Sequence, residues 1–136
     1  MNVLELERLI CRDPCMTAVT WGVFARDEIP RHGLLPGANV VNSHEAPGEH
    51  WFLLYVGEQI ELYDSLGKMP KNYGIESPCI YIDKRLQTIN SVSCGKYVLY
   101  FLYWRSRGIQ MHAILHSLKN NSEQVVKDHY RWLHTV

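Results

Sequence analysis

The sequence is short of cysteine, of net charge and of long apolar runs, and each shortage closes off a class of protein. Its four cysteines, Cys11, Cys15, Cys79 and Cys94, are too few and too unevenly spaced for a disulfide framework. Fourteen basic residues balance fourteen acidic ones, so no global field draws the chain to nucleic acid or to an acidic membrane. The longest apolar run, Tyr97 to Trp104, is closed by Arg105 and falls far short of the roughly 20 residues a membrane-spanning helix needs. The first residues carry no secretory pattern, because Glu5, Glu7 and Arg8 interrupt the leucines. Neither internal repeats nor a linker divide the chain. These absences predict one soluble, intracellular domain over residues 1–136 with reduced thiols, in which the acceptor triplet Asn120-Asn121-Ser122 goes unglycosylated.

What is present is ordinary globular composition, 46% hydrophobic, patterned as an α+β domain. Val3, Leu6 and Ile10 share one helical face, and Pro14 stops that helix. The punctuated stretch from Trp21 through Pro30 to Gly37 reads as loop with one turn of helix, and Ala38 to Asn42 as a short strand. After a Pro/Gly loop, Ser43 to Glu49, the segments His50–Val56 and Gln59–Asp64 read as a hairpin turning at Gly57-Glu58. The first of these strands is apolar on both faces, which suits a central strand covered on both sides. Cys79–Asp83 reads as a further strand. From Cys94 onward an all-round apolar helix should be buried, ending at Arg105, Arg107 and Gly108. Two amphipathic helices follow, one lined by Met111, Ile114, Leu115 and Leu118, the other by Val126, His129, Tyr130 and Leu133 and capped by Asn121 or Ser122.

Four polar residues stand out against this frame: His50 opening a buried strand, Asp64 closing the next, Gln87 in a polar approach, and Cys94 at a helix start. Hairpin pairing makes His50 and Asp64 neighbours, but only one loop parity puts them on one face. A two-residue loop would set Trp51 opposite Asp64. We expect an odd loop, centred on Gly57, with His50 directly across from Asp64. A thiol at a helix N-terminus is eased toward thiolate, and an adjacent imidazole can take its proton and return one to a leaving amine. Asp64 would orient that imidazole, and Gln87 with the Cys94 N–H would receive an oxyanion. Taken singly, each residue has a plainer reading: a small core cysteine, a strand-edge histidine, a turn aspartate.

The stretches Gly48-Glu-His-Trp51, Leu62-Tyr-Asp-Ser-Leu-Gly67 and Gln87-Thr-Ile-Asn-Ser-Val-Ser-Cys-Gly95 closely resemble the catalytic motifs of adenain-type endopeptidases, the adenovirus family of cysteine proteases. Relatives of that family occur in other double-stranded DNA viruses and in self-replicating transposons, and its clan includes the proteases of ubiquitin-like modifiers. Gly22-Val-Phe-Ala-Arg-Asp27 and Val41-Asn42 carry the resemblance upstream, so it runs from about Trp21 to about Trp104. It implies a papain-like core with a small mixed sheet against a buried central helix and flanking helices. It also implies a triad of His50, Asp64 and Cys94, an oxyanion hole of Gln87 and Cys94, and Trp51 packed beside the site.

By the same resemblance the substrate is a viral-type capsid or core precursor cut near glycine, with the host nucleus or cytoplasm and the virion as locations. A modifier protease acting on ubiquitin-like conjugates, and a catalytically silent binding module, are the alternatives. The resemblance places Cys79 where an activating peptide is disulfide-linked, although strand cysteines are more often simply packed. It also implies stimulation by DNA, against which stand the neutral charge and the scatter of Lys68, Lys71, Lys84, Arg85, Arg105 and Arg107. No metal is expected. His112 and His116 have zinc-compatible spacing but lack an intervening glutamate, and Cys11 with Cys15 has no second half.

Overall fold

The computed structural model describes residues 1–25, 35–43, 50–88 and 91–136. The side chain of Asn2 accepts the Glu5 N–H at 2.9 Å and so caps helix α1 (Val3–Cys11). Leu6, Leu9 and Ile10 face inward, whereas Val3, expected on that face, is exposed. Pro14 does more than end α1. Asp13 accepts the Met16 N–H at 2.8 Å, and Pro14 occupies the first turn of a second helix, α2 (Pro14–Val19), where its missing N–H costs nothing.

The stretch after α2, expected as loop, begins with a strand, β1 (Thr20–Ala25). It pairs in parallel with β2 (Gly37–Asn42), with a register irregularity between Thr20 and Gly22. Pairing along β2 overrides the weak local signal of a segment interrupted by glycine. The remainder of the expected loop, residues 26–34, and residues 44–49 of the Pro/Gly loop lie outside the described residues. Three more strands follow, β3 (Trp51–Val56), β4 (Ile60–Tyr63) and β5 (Cys79–Tyr81), with a turn of 3-10 helix at Pro70–Tyr73. The sheet runs β1-β2-β3-β4-β5, antiparallel at β2/β3 and β3/β4 and parallel at both edges. With five helices among the described residues, this is an α+β fold around a mixed sheet.

Strand β3 is central, as its two apolar faces predict. Trp51 and Leu53 join the larger core cluster with α1 and the buried central helix, while Phe52 and Leu54 join a smaller one with Val41, Leu62, Tyr73 and Ile75. The hairpin between β3 and β4 has the expected odd loop, but centred one residue later. Val56 pairs with Ile60 and Leu54 with Leu62, leaving Gly57, Glu58 and Gln59 as the loop. His50 and Asp64 therefore keep the same parity but are offset diagonally, and the pairing directly across is corrected.

The central helix is α3 (Cys94–Arg105), buried from Tyr97 through Leu102 and packed on β3. Its C-terminal end is tied by Arg105 to Glu61, at 3.0 Å, and by Arg107 to Asp13, at 2.6 Å. Helices α4 (Met111–Ser117) and α5 (Ser122–Leu133) complete the chain. Asn121 precedes α5 with a left-handed backbone, φ 55°, and makes no side-chain cap. The Ser122 hydroxyl instead donates to the Leu86 carbonyl at 3.2 Å. No helix among the described residues is long and apolar enough to cross a membrane.

Candidate functional site

The ends of β3 and β4 bring three of the singled-out side chains together. His50 Nε2 lies 2.6 Å from Asp64 Oδ1. The Cys94 thiol at the start of α3 is the second side-chain hydrogen-bond partner of the ring. All three are buried, His50 at 8% exposure, Asp64 at 1% and Cys94 at 8%, so their charges are poorly screened by water. Burial alone would push the imidazole down, but the Asp64 carboxylate and then the Cys94 sulfur raise His50 to about 9. Burial would push the thiol up, yet the His50 hydrogen bond and the backbone N–H groups of Trp51 and Gly95 hold Cys94 below its ordinary value. The opposed directions favour the charged forms of both groups, imidazolium and thiolate.

Asp64 is tied down from several sides. Its Oδ1 accepts the Leu66 N–H at 3.0 Å, and its Oδ2 accepts the Lys68 N–H at 3.2 Å and the Tyr73 hydroxyl at 2.7 Å. Burial opposes the charged form, but His50 and these donors hold the carboxyl below its usual range. The turn that lets one carboxylate collect these bonds needs Gly67, whose φ is +70° and whose missing Cβ would lie 2.5 Å from the Lys84 backbone. Tyr73 reaches Asp64 because its ring stacks on Phe52, centroids 4.1 Å apart.

The next residue performs the matching task for Gln87. The Ser65 carbonyl accepts the N–H groups of Leu86 and Gln87, at 2.8 and 3.0 Å, and its hydroxyl donates to Gln87 Oε1 at 2.6 Å. Gln87 Nε2 donates one hydrogen to the Ser91 carbonyl at 2.8 Å, which leaves a second hydrogen on the same nitrogen. Ser91 Oγ in turn accepts the Ser93 N–H at 3.1 Å, just ahead of Cys94.

Trp51 is buried beside this group, and its indole N–H donates to the Met1 carbonyl at 2.9 Å. The Met1 side chain lies over Gly95, where a Cβ would meet its sulfur at 2.9 Å. Cys79 is not part of the cluster. It sits on the edge strand β5, half-buried against the smaller core, with burial raising its thiol. There it lines a hollow of about 480 Å³ with Ile60, Pro78 and Ile80. His112 and His116 are both exposed, and no group of three or more His, Cys, Asp or Glu able to hold a metal occurs among the described residues.

Sequence reasoning missed Ser65, Tyr73 and Ser91. Ser65 alone had a signal, its place directly after Asp64 at a strand exit.

No family model matches the chain, and no curated protein is detectably similar to it. Among solved structures, it is similar to the central domain of the uncharacterized protein Lpg1148 from Legionella pneumophila, with a TM-score of 0.50 and 14% identity over 98% of each chain. At that identity the likeness is one of fold.

Proposed function

We propose that the chain is a cysteine endopeptidase with a papain-like core of adenain type. The observation that carries the reading is the contact of His50 with both Asp64 and Cys94, with imidazole and thiol moved in opposite directions. The Cys94 thiolate attacks the scissile carbonyl carbon, and the carbonyl oxygen becomes an oxyanion that accepts the Cys94 N–H and the second hydrogen of Gln87 Nε2. His50 gives its proton to the leaving amine, and the thioester remains on Cys94. A water then loses a proton to His50, adds to the thioester and frees the acid, returning thiolate and imidazolium. Asp64 keeps the ring in place and favours its charged form throughout.

The motif resemblance favours a viral-type precursor, cut near glycine, as the substrate, and an activating peptide docked at Cys79. Cleavage profiling of a peptide library by wild type and Cys94→Ala tests the reading. Cleavage should vanish in the variant, and cleavage that persists without the thiol refutes the mechanism. A ubiquitin-like modifier ending in an electrophile should leave wild type unmodified; covalent capture at Cys94 would move the substrate class to modifier conjugates.

A further inference from the structure

We infer that Glu123, at the start of α5, is a positioning residue for the oxyanion donor, an inference that rests on the endopeptidase reading. Its Oε1 accepts the Ser91 hydroxyl proton at 2.7 Å, across 32 residues of chain. A serine hydroxyl has one proton to give, and a carboxylate can only accept. Glu123 therefore fixes the direction of that hydroxyl and keeps its lone pair turned to the Ser93 N–H, 3.1 Å away. The carbonyl of the same Ser91 holds Gln87 Nε2 at 2.8 Å. One residue thus links the side chain that would receive the oxyanion to the backbone just ahead of Cys94, and Glu123 anchors that residue.

The neighbouring groups act in the same direction. Ser122 Oγ and Tyr97 Oη both reach the Leu86 carbonyl at 3.2 Å, gripping the residue before Gln87. Ser65 holds Gln87 from the other side at 2.6 Å. Gln87 is clasped between the exit of β4 and the entry of α5. Glu123 touches neither the reacting atoms nor the triad. Its loss should free Ser91 and let Gln87 drift while leaving the imidazolium–thiolate pair intact.

The test compares Glu123→Ala, Ser91→Ala and Glu123→Gln in the full chain, on the best peptide from the cleavage profile. A second readout is alkylation of Cys94 by iodoacetamide, which needs the thiolate and no oxyanion hole. Glu123→Ala and Ser91→Ala should lower kcat by about tenfold to a hundredfold with KM and alkylation rate unchanged, as expected when a donor is displaced and not removed. Glu123→Gln keeps an oxygen at the accepting position and should restore most of kcat. Unchanged kcat in Glu123→Ala, a fall in alkylation parallel to kcat, or no rescue by glutamine overturns the inference while leaving the endopeptidase reading standing. A wild-type chain that cleaves no peptide overturns that reading and this inference with it.

Discussion

Replacing Asp64 by asparagine removes a carboxylate that accepts four hydrogen bonds and faces His50 at 2.6 Å. The rise of His50 from 6.5 to about 9 corresponds to about 3 kcal/mol in favour of the protonated ring. Because burial opposes that rise, all of it comes from partners, and the Asp64 hydrogen bond is the first of them. In Asp64→Asn the ring should titrate well below 9, since the burial penalty stays and only the Cys94 sulfur continues to favour the charge. The His50 proton can be followed directly by NMR of ring-labelled histidine, with His50→Ala assigning the resonance among the seven histidines. Wild type should show a midpoint near 9 and Asp64→Asn one lower by at least a full pH unit, about 1.4 kcal/mol. The same pair should appear in stability. A folded-state value above the unfolded one stabilises fully below pH 6.5, and that contribution is lost as pH rises from 6.5 through about 9. A wild-type His50 midpoint below 7, or one that Asp64→Asn leaves unmoved, refutes the electrostatic reasoning for the site.

His129 carries the opposite dependence. It projects from α5 against Tyr100 and Tyr103 of α3 and Trp132 of its own helix, neither ring nitrogen has a hydrogen-bond partner among the described residues, and burial first, then Arg107, push it down to about 4. The unfolded chain binds this proton more readily, so stability should fall by about 2–3 kcal/mol between pH 6.5 and 4, and His129→Phe should flatten that limb in urea titrations. Gly67→Ala should cost upwards of about 2 kcal/mol by chemical denaturation, because φ is +70° and the new methyl meets the Lys84 backbone at 2.5 Å; a neutral effect would show that the turn can shift without loss.

Much of this architecture is written in local pattern. The two apolar faces of Trp51–Val56 announce a central strand, and the unbroken run after Cys94 announces a buried helix, because burial on all sides leaves no polar face to preserve. Strand β1 was not legible. Gly22 and the glycine and proline around it read as loop, and only pairing with β2 makes Thr20–Ala25 a strand. The hairpin parity could be reasoned from the chemistry of His50 and Asp64, whereas the exact centre depends on how many residues the turn absorbs. Of the site, the groups that titrate could be named in advance. Of the hydroxyls that hold them only Ser65, directly after Asp64, had a local signal, since Tyr73 and Ser91 acquire their roles from partners that folding brings near.

The clasp on Gln87 also has a schedule. Synthesis delivers His50, Asp64 and Cys94 before α5, and the 32 residues separating Ser91 from Glu123 take about two to six seconds to polymerise at ordinary elongation rates. In a nascent chain His50, Asp64 and Cys94 therefore exist before the helix that anchors Ser91, so the hold on Gln87 is completed only once α5 has been made.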